Sequence, residues 1–351
     1  MTIKNCSFRR LLLTNLLFCQ LSFAQEAPTV ADALQNFGIN GAQMAQLERG
    51  EIVSYEVSET SQKELAIGVA MILPVNLSQI VNYIKKGRLS SIENDITASG
   101  TLPVNADINK LKKLGFSDKQ ADEAQDFLEA EAGDEFNLST QELETLKTLR
   151  ENETVLNNKT VVNIANQTYR QFLLQRLQSY QKSGLAGISA YSRGKEQANP
   201  AAELRTDAMN SKAWAQYFPA LQQAWLNYPN GMPENATEQF VWLNRNVENR
   251  PTPILNHRIL VTSEKGGIVL SRQFYVGHSY NSSSVVAGGL PYKDGTLVFY
   301  STRSSTDQVA GMGSGLKHSI GREQMKKEMI KLLQRLNKDL KRQPAEVAEE
   351  S

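Results

Sequence analysis

The sequence predicts an α+β fold: an antiparallel sheet with a long C-terminal helix and a large helical insertion. Three observations carry this. The clearest strand patterns lie over residues 52–73 and 238–303, and the second region is punctuated by the hairpin signals Gly266-Gly267 and Asp294-Gly295. Residues 105–183, between them, read as almost entirely helical. The chain closes on an amphipathic stretch over 319–342, with Met325, Met329, Leu332, Leu333, Leu336 and Leu340 on one stripe. Strands, then helices, then strands, with no β/α alternation and no internal repeat, point to segregated layers rather than a doubly wound sheet.

In chain order, residues 1–24 read as a cleavable secretory leader. Lys4, Arg9 and Arg10 form a basic start, 11–23 a mostly apolar run, and Ser22-Phe23-Ala24 a small-residue cleavage site before Gln25. That apolar run is shorter than the roughly 20 residues that span a bilayer, and Phe18 spoils the pattern that would make Cys19 a lipidated residue. Residues 25–48 form a helical lead-in with Val30, Leu34 and Phe37 at helical spacing. Strands follow over 52–57 and 65–73, the second stopped by Pro74. Leu77, Ile80, Val81 and Ile84 share one face of a short helix ending near Gly87, and a third strand is expected over 90–99.

The insertion is expected over about 100–235. Ser117 with Gln120, and Ser139 with Glu142, have capping-box spacing and start two helices. A third helix covers 158–182. After a glycine-rich break, a helix over 201–226 carries Trp214, Phe218, Leu221 and Trp225. The expected later strands are 238–246, 254–263, 268–278, 283–289 and 295–303, and 343–351 reads as a disordered tail. Residues 25–342 are thus expected as one domain.

With 38 Lys and Arg against 37 Asp and Glu, the 351-residue chain has a net charge of +1, which gives no whole-chain electrostatic case for nucleic acid. Cleavage after Ala24 removes three basic residues and both cysteines, Cys6 and Cys19. The mature periplasmic or secreted chain then carries −2, with no disulfide, no thiolate nucleophile and no cysteine-held metal. The neutral total hides two charged faces. Residues 117–153 carry −9, a solvated face or a docking surface for a basic partner. Residues 317–342 carry +6, a solvated face or a surface for anionic lipid at a membrane.

Three motifs bear on chemistry. Gly277-His278-Ser279-Tyr280-Asn281 departs by one residue from the G-x-S-x-G elbow, and Asp307 and His318 follow in hydrolase order. Ser279, His318 and Asp307 are therefore the catalytic candidates for a hydrolase or cyclase-like enzyme, although the hairpin-rich stretch between them lacks the β/α units such enzymes need. The glycine-rich run over 307–321, leading into Lys317 and Arg322, suits an anionic group, or else caps the helix as a lid. Arg272, Tyr275, Tyr280, Tyr300 and Arg303 alternate along strands and would line an amphipathic pocket if they face inward. His257, His278 and His318 could be metal ligands with Asp294 or Asp307, but their spacings match no metal motif; single hydrogen-bonded histidines are the expectation, with no metal and no cofactor.

The segments GEIVSYEV (50–57), GDEFNLSTQEL (133–143), GISAYSRG (187–194), LNHRI (255–259), RQFYVGHSYN (272–281) and the run over 295–322 resemble a family of exported bacterial proteins that carries no activity to transfer. More loosely, the strand opening, the glycine loop and the long final helix resemble the START-like helix-grip superfamily. That resemblance implies binding of a lipid, sterol or other hydrophobic ligand between sheet and helix. The large insertion departs from it. Taken with the strand patterning, it makes non-catalytic binding of a hydrophobic or amphipathic small molecule the leading expectation, with Arg272, Tyr280, Arg303, Asp307, Lys317 and Arg322 as contacts.

Overall fold

The structure, a computed structural model, describes residues 28–152, 158–311 and 313–342; the expected leader and tail lie outside the described residues. Helices α1 (Val30–Asn36) and α2 (Gly41–Glu48) come first, each started by a capping box, from Thr29 and Asn40. Strands β1 (Val53–Tyr55) and β2 (Glu64–Leu73) pair antiparallel, and α3 (Leu77–Lys85) follows Pro74. The strand expected over 90–99 begins only at Ile96, as β3 (Ile96–Leu102). The Ser90 and Ser91 hydroxyls donate to the carbonyls of Gly87 and Arg88, so 88–92 closes as a 3-10 turn instead.

The insertion supplies α4 (Ala121–Leu128), α5 (Thr140–Asn152) and α6 (Asn158–Ser183), then a small hairpin of β4 (Tyr191–Arg193) and β5 (Glu196–Ala198). Both expected capping boxes form, at Ser117 and Ser139. The single helix expected over 201–226 is three: α7 (Pro200–Asn210), α8 (Lys212–Tyr217) and α9 (Pro219–Leu226). Pro219 has no N–H to donate and holds Phe218 at φ −138°, outside the helical region. Trp214 and Trp225 still share one apolar cluster across the breaks.

The last strands are β6 (Thr237–Val247), β7 (Arg250–Ser263), β8 (Gly266–Val276), β9 (Ser282–Tyr292) and β10 (Gly295–Ser305), followed by α10 (Ser314–Arg342), which starts five residues before the amphipathic stripe predicts. Eight strands make one antiparallel sheet in the order β1-β2-β10-β9-β8-β7-β6-β3. The insertion therefore joins two strands, β3 and β6, that lie side by side at one edge.

Helices cover both faces. On one, α3 and α10 pack Ile80, Tyr83, Met329, Leu333, Leu336 and Leu340 against Val69, Met71, Leu73 and Leu260. Each such side chain removed from water is worth about 1.5–3 kcal/mol. On the other, α1 and α2 pack against Tyr55, Ala70 and Phe299, and α7–α9 against Ile259, Ile268 and Leu270. The block of α4 and α6 covers Phe240, Trp242, Leu255, Phe274 and Tyr275. A bulge in β8 explains that last pair. Asn256 opposes Gln273 but Leu255 opposes Tyr275, so the extra residue turns both Phe274 and Tyr275 toward α6. No helix among the described residues is long and apolar enough to cross a membrane.

Candidate functional site

Between the sheet and the roof made by α3 and α10 lies a cavity of about 170 Å³. Its cause is in the sequence of the central strands. On the α10 face, β8 and β9 carry Gly267, Ser271, Ala287 and Gly289 beside Val269 and Val285, where the flanking strands carry Leu260, Val298 and Tyr300. Small residues in the middle of a face and large ones around it leave a hollow. Leu77 of α3 seats on the glycines: a Cβ at Gly289 would come within 3.0 Å of its Cδ1. Ile80, Ile84, Leu332 and Leu336 complete an apolar roof.

One end of the cavity is polar. Asn256 and Arg258 of β7, Gln273 of β8 and Arg245 of β6 line it, with Glu93 from the turn before β3. Most of these groups already have partners. Ser271 Oγ donates to Asn256 Oδ1 (2.8 Å), and Tyr280 Oη donates to Gln273 Oε1 (2.7 Å). Arg245 pairs with Glu93 and, at 2.5 Å, with Asp95. Burial pushes the Glu93 carboxyl up, against the pull of Arg245. Arg258 differs: no hydrogen bond or ion pair joins its guanidinium to any described residue. Burial pulls its pKa below the usual value, opposed by the charge of Glu93 and the Tyr300 phenol.

The other hollows offer less. A groove of about 80 Å³ walled by Phe37, Trp214 and Phe218 lies on the opposite face. A cleft of about 440 Å³ beside exposed Lys112 and Lys113 has a wall about as polar as it is apolar.

Of the sequence-predicted contacts, the cavity end gains Tyr280, through its bond to Gln273, and Tyr300. Arg272 and Arg303 both lie on the opposite face of the sheet from this cavity. Arg272 follows Ser271 by one residue and so points away from the cavity. It donates to Tyr180 Oη (3.0 Å) and the Trp225 carbonyl (3.1 Å) and lies over the Trp225 ring. Arg303 is buried against Glu64 at 2.5 Å. Asp307 pairs with Lys63 (2.8 Å) and Arg193 (3.2 Å) outside the cavity. Lys317 reaches the Ala310 carbonyl (3.4 Å), and Arg322 meets Glu56 and Glu59.

The hydrolase order does not become a relay. Ser279, at φ 69°, donates to Glu248 (2.7 Å) and neighbours His278 Nδ1 (2.7 Å). His318 donates through Nε2 to the Gln62 carbonyl (2.7 Å), with Glu59 on its other side. Asp307 is taken by cations, so Ser279, His318 and Asp307 each bond elsewhere. His257 meets Tyr180 Oη (2.9 Å), and His278 Nε2 meets Thr252 (2.7 Å). Among the described residues no three His, Cys, Asp or Glu side chains converge on one point.

Sequence reasoning missed Arg258. The signal was present in Leu255-Asn256-His257-Arg258-Ile259-Leu260, a strand with polar side chains on both faces. Reading that strand as covered by helices on each side would have marked Arg258 as a charge drawn into a core. No family model, curated protein or solved structure matches the chain.

Proposed function

We propose that this is an exported, non-catalytic binding protein for a hydrophobic or amphipathic small molecule, held between the sheet and α10. The observation that carries the reading is the cavity itself: apolar roof, a floor with small residues, and a polar end with a half-buried guanidinium that no described residue hydrogen-bonds. A START-like helix-grip identity is part of the proposal. It is supported by a long last helix seated over a hollow in an antiparallel sheet, with Gly311 and Gly313 before it. The N-terminal leader pattern supports export, and Edman sequencing of the mature protein should begin at Gln25.

A membrane surface is the proposed place of ligand exchange. Leu316 and Ile320, one helical turn apart at the start of α10, are 70% and 62% exposed beside Lys317. Native mass spectrometry of protein purified from its own host tests the whole reading. A co-purified small molecule whose removal lowers the melting temperature is expected. An empty protein with unchanged stability after organic extraction would overturn it.

A further inference from the structure

We infer that the cavity's occupant is a small monocarboxylate, medium-chain or single-ring aromatic, whose carboxylate is received by Arg258; this rests on the ligand-binding reading above. The apolar part follows from size. A dry apolar cavity of about 150 Å³ holds benzene, and the space here is about 170 Å³. The walls bounded by Leu77, Ile80, Leu332 and Leu336 therefore take one ring or a short acyl chain, not a sterol or a two-chain lipid.

The head follows from charge and hydrogen bonding. Arginine stays protonated and presents five N–H donors in a planar fork that matches a carboxylate. Drawing such a group partly out of water without acceptors has a cost, and Arg258 is half-buried. Glu93 and Asp95 pair with Arg245, Asn256 Oδ1 accepts from Ser271, and Gln273 Oε1 accepts from Tyr280; Glu93 and the Tyr300 phenol act on Arg258 through charge, without a hydrogen bond to it. Arg258 at that end has neither a hydrogen bond nor an ion pair within 4 Å to any described residue. An anionic oxygen pair from the ligand supplies what it lacks. A hydroxyl head would meet only part of its donors, and an ammonium head would be repelled.

The test is a head-group series on the full mature chain, stripped of bound ligand: octanoate, 1-octanol and octylammonium, followed by isothermal titration calorimetry. Octanoate should bind about tenfold or more tighter than octanol, the size expected of hydrogen bonds to a charged group, with octylammonium weakest. In Arg258→Met the preference for acid over alcohol should vanish, and Arg258→Lys should keep most of it. Circular dichroism melts would report whether either variant folds, and the wild-type series decides the question without them. Equal affinity for octanoate and octanol overturns the carboxylate assignment and leaves the ligand-binding reading standing. Binding of none of the three overturns both.

Discussion

Arg272 and Arg258 sit on adjacent strands of one sheet, 14 positions apart in sequence, and face opposite ways. Arg272 is buried under α6 and α9 with donors bonded to Tyr180 and Trp225. Arg258 is drawn under α3 and α10 and bonded to nothing described. The same contrast separates the two faces. Against α6, aromatic rings fill the space: Tyr180 stacks on Phe274 (4.1 Å between centroids), and Phe127 on Tyr169 (4.4 Å). Against α10, glycine, alanine and serine leave it open. A face whose buried charges are all satisfied is built for stability. The other face holds a half-buried guanidinium that no described residue hydrogen-bonds.

The largest test of that contrast is to remove one arginine from each side. On the α6 side, Arg176 holds Glu142 in a buried pair at 2.5 Å. Arg176→Met strands the carboxylate and should cost about 3–5 kcal/mol in urea unfolding, with Arg176→Met/Glu142→Met recovering most of it. Arg258→Met strands no bonded partner and should change stability by less than about 1 kcal/mol. Comparable losses in the two would erase the distinction between the faces.

Acid should also act on the filled side. Burial lowers the pKa of both His257 and His278 to about 4. Each stays neutral in the folded chain while the unfolded chain takes a proton near 6.5. Their contribution is therefore complete above pH 6.5 and lost as pH falls toward 4, up to roughly 3 kcal/mol each. Asp207 opposes this. Burial, with Glu64 nearby, raises its carboxyl to about 7, so its effect is to lower stability as pH rises from about 4 to about 7. Melting temperatures between pH 6.5 and 4 should fall more steeply in Asp207→Asn and less steeply in His257→Gln.

Packing tests the same comparison at smaller scale. Ala287 floors the cavity, and Ala70 lies in the tight cluster under α1 and α2. Ala70→Leu overpacks and should cost about 1–3 kcal/mol. Ala287→Leu has room and should cost less, while abolishing ligand binding by occupying the space.

The layers were legible because they rest on local patterns: period-2 strands, glycine turns and serine caps repeat their chemistry wherever they occur. What was lost depended on partners far along the chain. Alternation placed Tyr300 and Arg303 on strands correctly, but they are an odd number of residues apart and cannot share a face of one regular strand. The β8 bulge, which reverses the parity after Gln273, has no local mark. The break at Pro219 did have one, and its proline outweighs the aromatic spacing around it.

The smallest expected change in stability tests where the open face meets its supply. Leu316 and Ile320 touch no core cluster, so Leu316→Ser/Ile320→Ser should leave the melt within about 0.5 kcal/mol of the parent. Flotation with phosphatidylglycerol vesicles should nevertheless drop sharply, because the pair is the proposed apolar footing beside the basic residues of α10. Raised salt should weaken parental binding only in part, since apolar insertion persists when charge is screened. Unchanged flotation in the double variant would move the membrane contact away from the start of α10. Lost flotation with normal octanoate affinity would separate delivery at the surface from reception at Arg258.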